Sequence, residues 1–369
     1  MTKNIFGHGS SFIQYPHHAL RKVKDLLTIR CIPILGIACL TIQFILLTIY
    51  GHLGCGSETC DVETNKNSSF FRIFLGRFYK ETVPVLPSCP PEPPDLEGYI
   101  KPTTEVLTWA ELEYNYLNLQ MGGRYKPLNC TSRHRVAIIV PFRDRDIHLK
   151  IFLNNIHPIL KRQQLDYGVY IVDLDPAVSF NRALLLNVGF LESLKIYDYQ
   201  CFIFHDVDLL PENDNILYTC PDSPRHMSVA IDRMGYKLPY DKIFGGVTAM
   251  TKEQFYKVNG YSNRYFGWGG EDDDMFNRIN ATNQTITRYP KDIARYTMLP
   301  HARQQENLAR FDILKSGKIT FHRDGINTLV YHRLTLDFRR LFTYILVTVN
   351  QTAIESGRGI RYNNDFTKS

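Results

Sequence analysis

The sequence predicts an α/β domain built on a mostly parallel mixed sheet flanked by helices, preceded by a single N-terminal membrane helix and a stem. Three observations predict it. Short apolar runs rich in β-branched and aromatic residues alternate with amphipathic stretches; one twenty-residue segment carries no charge; and a proline-rich stretch separates that segment from the alternating part. With 369 residues and 44% apolar content, the chain is long enough for one large globular domain plus these appendages.

The first thirty residues hold Lys3, Arg21, Lys22, Lys24 and Arg30 against Asp25. Much of the net charge of +6 therefore lies here, and the remainder is close to balanced. No later block of Lys and Arg is interleaved with aromatics, so a nucleic-acid partner is excluded on charge. Residues 31–50, CIPILGIACLTIQFILLTIY, match the hydrocarbon thickness of a bilayer at helical rise. A cleaved signal peptide is the competitor, but its apolar stretch is shorter and nearer the terminus. Basic residues before the span and Glu58, Asp61 and Glu63 after it leave the N-terminus, 1–30, in the cytoplasm and the bulk of the chain in the lumen. Sequons at Asn67, Asn129, Asn280, Asn283 and Asn350 agree. So do six cysteines beyond the span, an even number expected to be oxidised there.

Residues 51–98 carry Pro84, Pro87, Pro90, Pro91, Pro93 and Pro94 and read as a semi-rigid stem. The lumenal domain is 99–369. Its first strand is Val136 to Val140, ending at Pro141, and a helix follows with Leu149, Phe152, Leu153, Ile156 and Ile159 on one face. Val169 to Val172 is the second strand, Ala183 to Leu194 the second helix and Cys201 to Phe204 the third strand. Val229 to Ile231, Gly245 to Met250 and Tyr344 to Val349 read as shorter mixed strands added to that sheet.

The chemistry concentrates in two motifs. His205-Asp206-Val207-Asp208 begins where the third strand stops, the end at which open α/β sheets bind ligands, and two carboxylates at this spacing suit a divalent cation and a nucleotide diphosphate. An Asp-rich turn is the plain alternative. Trp268-Gly269-Gly270-Glu271-Asp272-Asp273-Asp274 places four carboxylates in a row, more than helix capping requires, beside a Gly-Gly pair that permits close backbone approach and a Trp face for stacking.

Together with Phe142-Arg143-Asp144-Arg145, Phe180-Asn181-Arg182-Ala183 and Phe244-Gly245-Gly246-Val247, these motifs resemble the β-1,4-galactosyltransferase family, glycosyltransferase family 7, over residues 89–350. The invertebrate β-1,4-N-acetylgalactosaminyltransferases are the most similar branch. The resemblance implies a GT-A-type nucleotide-sugar-binding fold and an inverting glycosyltransferase. It also implies a single-pass type II protein of the Golgi membrane with a lumenal catalytic domain. A UDP-sugar donor would meet Pro141, Phe142, Arg143, Arg145, Phe180, Asn181, Arg182, Asp206, Val207, Asp208, Ile243 and Trp268. Manganese would be held by Asp208, Met298 and His301; taken alone, Met298 reads as core packing and His301 as a surface residue.

By the same resemblance Asp272 is the base that takes the acceptor hydroxyl's proton, with Glu271 beside it. Tyr240, Gly270, Asp272, Asp273, Arg310, Phe311 and Leu314 would hold a terminal N-acetylglucosamine. Residues between Met298 and Arg310 would form a mobile lid that closes on the donor before the acceptor binds. Disulfides Cys89 to Cys130 and Cys201 to Cys220 are implied, while Cys55 and Cys60 either pair with each other or join two stems in a homodimer. Ile243 stands where galactose-specific members carry Tyr, and its smaller apolar side chain leaves room for an acetamido group, so N-acetylgalactosamine is the expected sugar and galactose the alternative. A non-catalytic carbohydrate-binding protein would have little reason to keep Asp208, Met298, His301 and Asp272 together. A phosphoesterase would more naturally show further His and Asp ligands for two metals.

Overall fold

The apolar runs become strands buried on both faces, which is what their unbroken hydrophobicity dictates. In a computed structural model that describes residues 86–302 and 305–356, these residues belong to one compact unit, Val83–Ser369. The tail, the 31–50 segment, most of the stem, Asn67, Cys55 and Cys60 lie outside the described residues. No helix among the described residues is long and apolar enough to cross a membrane.

Helix α1 (Trp109–Asn115) precedes β1 (Arg135–Phe142), α2 (Asp146–Arg162), β2 (Asp166–Leu174), α3 (Arg182–Ile196) and β3 (Cys201–His205). Short elements follow: β4 (Leu209–Pro211), β5 (Arg225–His226), β6 (Ala230–Ile231), β7 (Val247–Thr251), α4 (Lys252–Lys257), α5 (Glu271–Ala281), β8 (Thr287–Arg288) and β9 (Arg295–Met298). The chain closes with α6 (Arg310–Thr320), β10 (His332–Phe338), β11 (Thr343–Thr348) and α7 (Gln351–Glu355).

An eight-stranded sheet runs β10-β11-β2-β1-β3-β7-β5-β8. Its centre, β11-β2-β1-β3, is parallel, and β7 and β10 are antiparallel to their central neighbours. Alternation along β1 divides the core. Val136, Ile138 and Val140 pack with Phe152, Leu153 and Ile156 of α2, whereas Ala137 and Ile139 pack with Leu184, Leu185 and Val188 of α3. The strand continues past its expected end to Phe142, although proline lacks a donor. Pairing with β3 ends at Ile139, so Pro141 has a strand on one side only, at Val172.

One expectation fails: Val229 to Ile231 does not extend the main sheet, because β6 belongs to a separate three-stranded sheet, β4-β9-β6. Both expected disulfides are present, Cys89–Cys130 and Cys201–Cys220. Residues 86–98 are tied to the domain by the first of these and by the amides of Glu97 and Gly98, which donate to the buried Asp214 carboxylate at 3.0 and 2.8 Å. Asn129, Asn280, Asn283 and Asn350 are all exposed.

Candidate active site

The carboxyl ends of the parallel strands meet one another, and the conspicuous motifs sit there. At the end of β3, His205 is fully buried; its Nδ1 donates to the Asp206 carbonyl oxygen at 2.8 Å and its Nε2 accepts from Tyr218 Oη at 2.9 Å. Burial pushes the imidazole down to about 4, so the ring is neutral and its tautomer follows from the carbonyl, which can only accept. The Leu209 amide closes the same turn on the Asp206 carbonyl at 3.3 Å. This double hold fixes the backbone that carries Asp206 and Asp208.

Arg182, the first residue of α3, joins four motifs. Its Nε donates to Asp206 Oδ1 at 2.6 Å, its Nη1 lies 3.7 Å from Glu271 Oε1, and its Nη2 donates to the Gly246 carbonyl at 3.3 Å. Burial alone would lower the guanidinium's pKa, but Asp206 and Glu271 more than offset it. Burial raises the Asp206 carboxyl against the pull of Arg182.

Helix α5 opens on Gly270, which caps it at φ 96°, a left-handed conformation that a side chain would strain. All four carboxylates of the acidic run fall in its first turn, where the helix dipole favours them. They point to different tasks. Asp272 Oδ1 accepts from the Asp273 amide at 3.0 Å, and Oδ2 would lie 2.7 Å from a Cβ on Gly245, so the carboxylate rests on the backbone entering β7. Burial and then Asp273 raise its pKa. Asp273 Oδ1 accepts from Tyr240 Oη at 3.0 Å. Asp274 is 1% exposed and accepts from Arg278 Nε at 2.6 Å.

Burial and the neighbouring Asp272 push Glu271 up to about 7 from 4.5, against Arg182. For an acid whose folded pKa is raised, the stability cost is absent below the unfolded value, builds between 4.5 and about 7, and is complete above that. Glu271→Gln should therefore gain thermal stability over the parent as pH rises from about 5 to about 8, by scanning calorimetry of the metal-free protein. A pH-independent difference would show that the carboxyl is not titrating in that window.

Beside this cluster, pairing of β4 with β9 sets Leu209 opposite Met298, and the Leu299 amide donates to the Asp208 carbonyl at 2.8 Å. The chain then returns so that His301 Nε2 stands 3.1 Å from Asp208 Oδ2. His301 Nδ1 donates to the Ala302 carbonyl at 2.8 Å, which turns the other ring nitrogen to the carboxylate; this is how a metal-ligating histidine is held. No group of three His, Cys, Asp or Glu forms a metal site among the described residues. Asp208 and His301 would need Met298 as third ligand, a half-buried side chain packed against the core next to this turn, and a thioether would favour a transition ion over Mg²⁺ or Ca²⁺. Arg145 Nη1 lies 3.4 Å from the same Asp208 oxygen.

Several residues expected to hold the acceptor also converge. Trp268 is half-exposed, its amide donates to the Gln305 carbonyl at 2.8 Å, and the Asn307 amide donates back at 3.0 Å, so the expected lid segment is stitched to the Trp loop. Arg310 lies 5.5 Å from the Trp268 ring and 4.8 Å from the Phe311 ring, and donates to Glu306 at 2.6 Å. Phe311 is exposed and Leu314 half-buried, on the same helix.

Two residues expected at the donor also brace the scaffold. Arg143 donates to the carbonyls of Leu174, Asp175 and Val178 and lies 5.4 Å from the Phe180 ring, clamping the loop after β2. Asn181 is fully buried, accepting from the Leu184 amide as the N-cap of α3 and donating to the Asn263 carbonyl. The side-chain amide of Asn181 is thus used within the scaffold at both ends, whereas Arg143 Nε is buried without a hydrogen-bond partner. Pro141 and Val207 are likewise buried, while Phe142, Phe180 and Ile243 are half-buried. The sequence reading gave no task to Tyr218 or Arg278; their partners are distant in sequence, and no local pattern announces them.

Two family models match the chain: the N-terminal region of glycosyl transferase group 7 over residues 89–221, and the N-terminal domain of galactosyltransferase over residues 225–302. Human β-1,4-galactosyltransferase 1 is 47% identical over 268 residues, 72% of this chain and 67% of that protein. β-1,4-Galactosyltransferase 4 of Cricetulus griseus is 43% identical over 296 residues, 75% and 86% of the two chains. The catalytic domain of Drosophila β1,4-galactosyltransferase 7, solved with xylobiose, matches with a TM-score of 0.52 at 29% identity, covering 59% of this chain and 94% of that one. A mutant of that enzyme, solved with manganese, UDP-Gal and xylobiose, matches equally well. By sequence, fold and the convergence of its motifs at one end of the sheet, the chain belongs to glycosyltransferase group 7, the β-1,4-galactosyltransferase family, and is a hexosyltransferase of GT-A-like fold.

Proposed function

We propose that this enzyme transfers N-acetylgalactosamine, with inversion, from UDP-N-acetylgalactosamine to the 4-hydroxyl of terminal N-acetylglucosamine on glycoprotein or glycolipid glycans. Ile243 carries the choice of sugar. Its amide donates to the Tyr240 carbonyl at 3.3 Å and its carbonyl accepts from Arg288 Nη2 at 3.0 Å, so backbone bonds fix its place two residues before Gly245, on which Asp272 rests. An aliphatic side chain there has no hydroxyl to crowd an acetamido group. Galactose transfer is the second reading, favoured by the names of the relatives.

Asp272 is the base: its Oδ1 is held by the Asp273 amide, which leaves Oδ2 to take the acceptor's proton. Its raised pKa makes it a stronger base than an ordinary carboxylate. Asp206 and Glu271 hold Arg182 in place, and Tyr240 orients Asp273 towards the acceptor. Manganese, held by Asp208, Met298 and His301, would offset negative charge on the departing diphosphate. The same reading makes the protein a single-pass type II Golgi enzyme that binds donor before acceptor.

The test is turnover with UDP-N-acetylgalactosamine and UDP-galactose on a β-linked N-acetylglucosamine acceptor, with and without manganese. The first donor should be preferred, and Ile243→Tyr should shift the ratio of kcat/KM towards galactose by about 10- to 200-fold. A parent enzyme that prefers galactose would establish the second reading.

A further inference from the structure

We infer that Gly317 and Asp274 form a joint that sets the acceptor helix α6 on the catalytic helix α5, making both of them positioning residues for acceptor binding. The inference rests on the acceptor role proposed for Arg310, Phe311 and Leu314. Gly317 lies within α6 and is buried, yet its backbone is not among those with positive φ, so conformational freedom is not what it supplies. Mid-helix glycine is disfavoured relative to alanine. Space explains it: a Cβ here would lie 2.1 Å from Asp274 Oδ1.

Asp274 cannot easily yield. It is 1% exposed, and its Oδ2 is pinned by Arg278 Nε at 2.6 Å. Arg278, equally buried, is anchored by donating to the carbonyls of Gly260 and Asp324 at 3.2 and 2.7 Å. Asp274 Oδ1 has no hydrogen-bond partner, so it faces the bare glycine carbon. At the other end of α6 the approach is again through glycine, since a Cβ on Gly270 would lie 3.2 Å from Arg310 Cβ. Two contacts thus hold α6 against the first turn of α5. Leu314 is one helical turn before Gly317, and Asp272 and Asp273 immediately precede Asp274, so a wedge at 317 moves the acceptor's apolar contacts away from the carboxylates that meet its hydroxyls. The donor residues Arg182, Asp206 and Asp208 lie outside this joint.

The experiment is steady-state kinetics of the full-length enzyme on a β-linked N-acetylglucosamine glycoside, with whichever UDP sugar the parent uses. Gly317→Ala should raise the acceptor KM about 10-fold or more and leave the donor KM within about twofold, and Gly317→Val should do more. Ser316→Ala, one residue away, is the control that should alter neither. In an Asp274→Ala/Arg278→Met background, which removes the obstructing carboxylate together with its partner, Gly317→Ala should change the acceptor KM by less than about twofold. An unchanged acceptor KM in Gly317→Ala, a parallel rise in both KM values, or an equal effect in the double-variant background would overturn the inference. If the single variant fails to fold while the same change in that background folds, the clash itself is demonstrated. A parent enzyme with no transfer from either donor would instead refute the proposed function.

Discussion

Asp272→Asn is expected to lower kcat by about 10²- to 10⁴-fold, the range over which a positioned base contributes, while manganese-dependent UDP binding stays within about twofold. The variant isolates chemistry from structure. Asparagine keeps the volume that rests on Gly245 and keeps an oxygen for the Asp273 amide, so the first turn of α5 has no reason to move. It also removes one of several crowded carboxylates, whose mutual repulsion and burial raise Asp272 and Glu271, so thermal stability should hold or rise. A catalytic role therefore predicts lost turnover in a protein no less stable. Near-normal turnover would remove Asp272 from that role. Loss of nucleotide binding in step with turnover would make it part of the donor site.

The central sheet was legible because parallel strands buried on both faces must be apolar throughout: Val136 to Val140, Val169 to Val172 and Cys201 to Phe204 could hardly be anything else. The small sheet was not, since β6 has two residues and β4 three, too few for any periodicity to show. The same limit divides the site. Asp206, Asp208 and the acidic run advertise themselves, because carboxylates in sequence must be compensated by something. The structural work of Asn181 and Arg143 is hidden, because an N-cap and a loop clamp use the same side chains as a phosphate site, and only the fold shows their partners. Asp274 hid among its neighbours: one helical turn carries carboxylates to the site and to the core, and the sequence shows only that they are adjacent.

Arg182→Met is expected to have the largest effect on folding. The guanidinium stands between Asp206 and Glu271, with side chains 29% and 13% exposed, and removing it leaves two crowded carboxylates without their cation. Breaking such a pair by deleting one partner costs about 3–5 kcal/mol, because the remaining charge stays desolvated. For a domain of this size that corresponds to a fall in Tm on the order of 10 °C. The loss should shrink as pH is lowered towards about 5, since Glu271, raised to about 7 even with Arg182 present, can protonate and shed its share of the penalty. Transfer should be abolished at every pH, because Arg182 also donates to the Gly246 carbonyl, which accepts the Asp206 amide and so ties β7 to the turn carrying Asp208. Thermal unfolding of parent and variant across that pH range decides the matter. A constant difference in Tm would mean that packing by the long side chain, rather than its charge, is what the three motifs share.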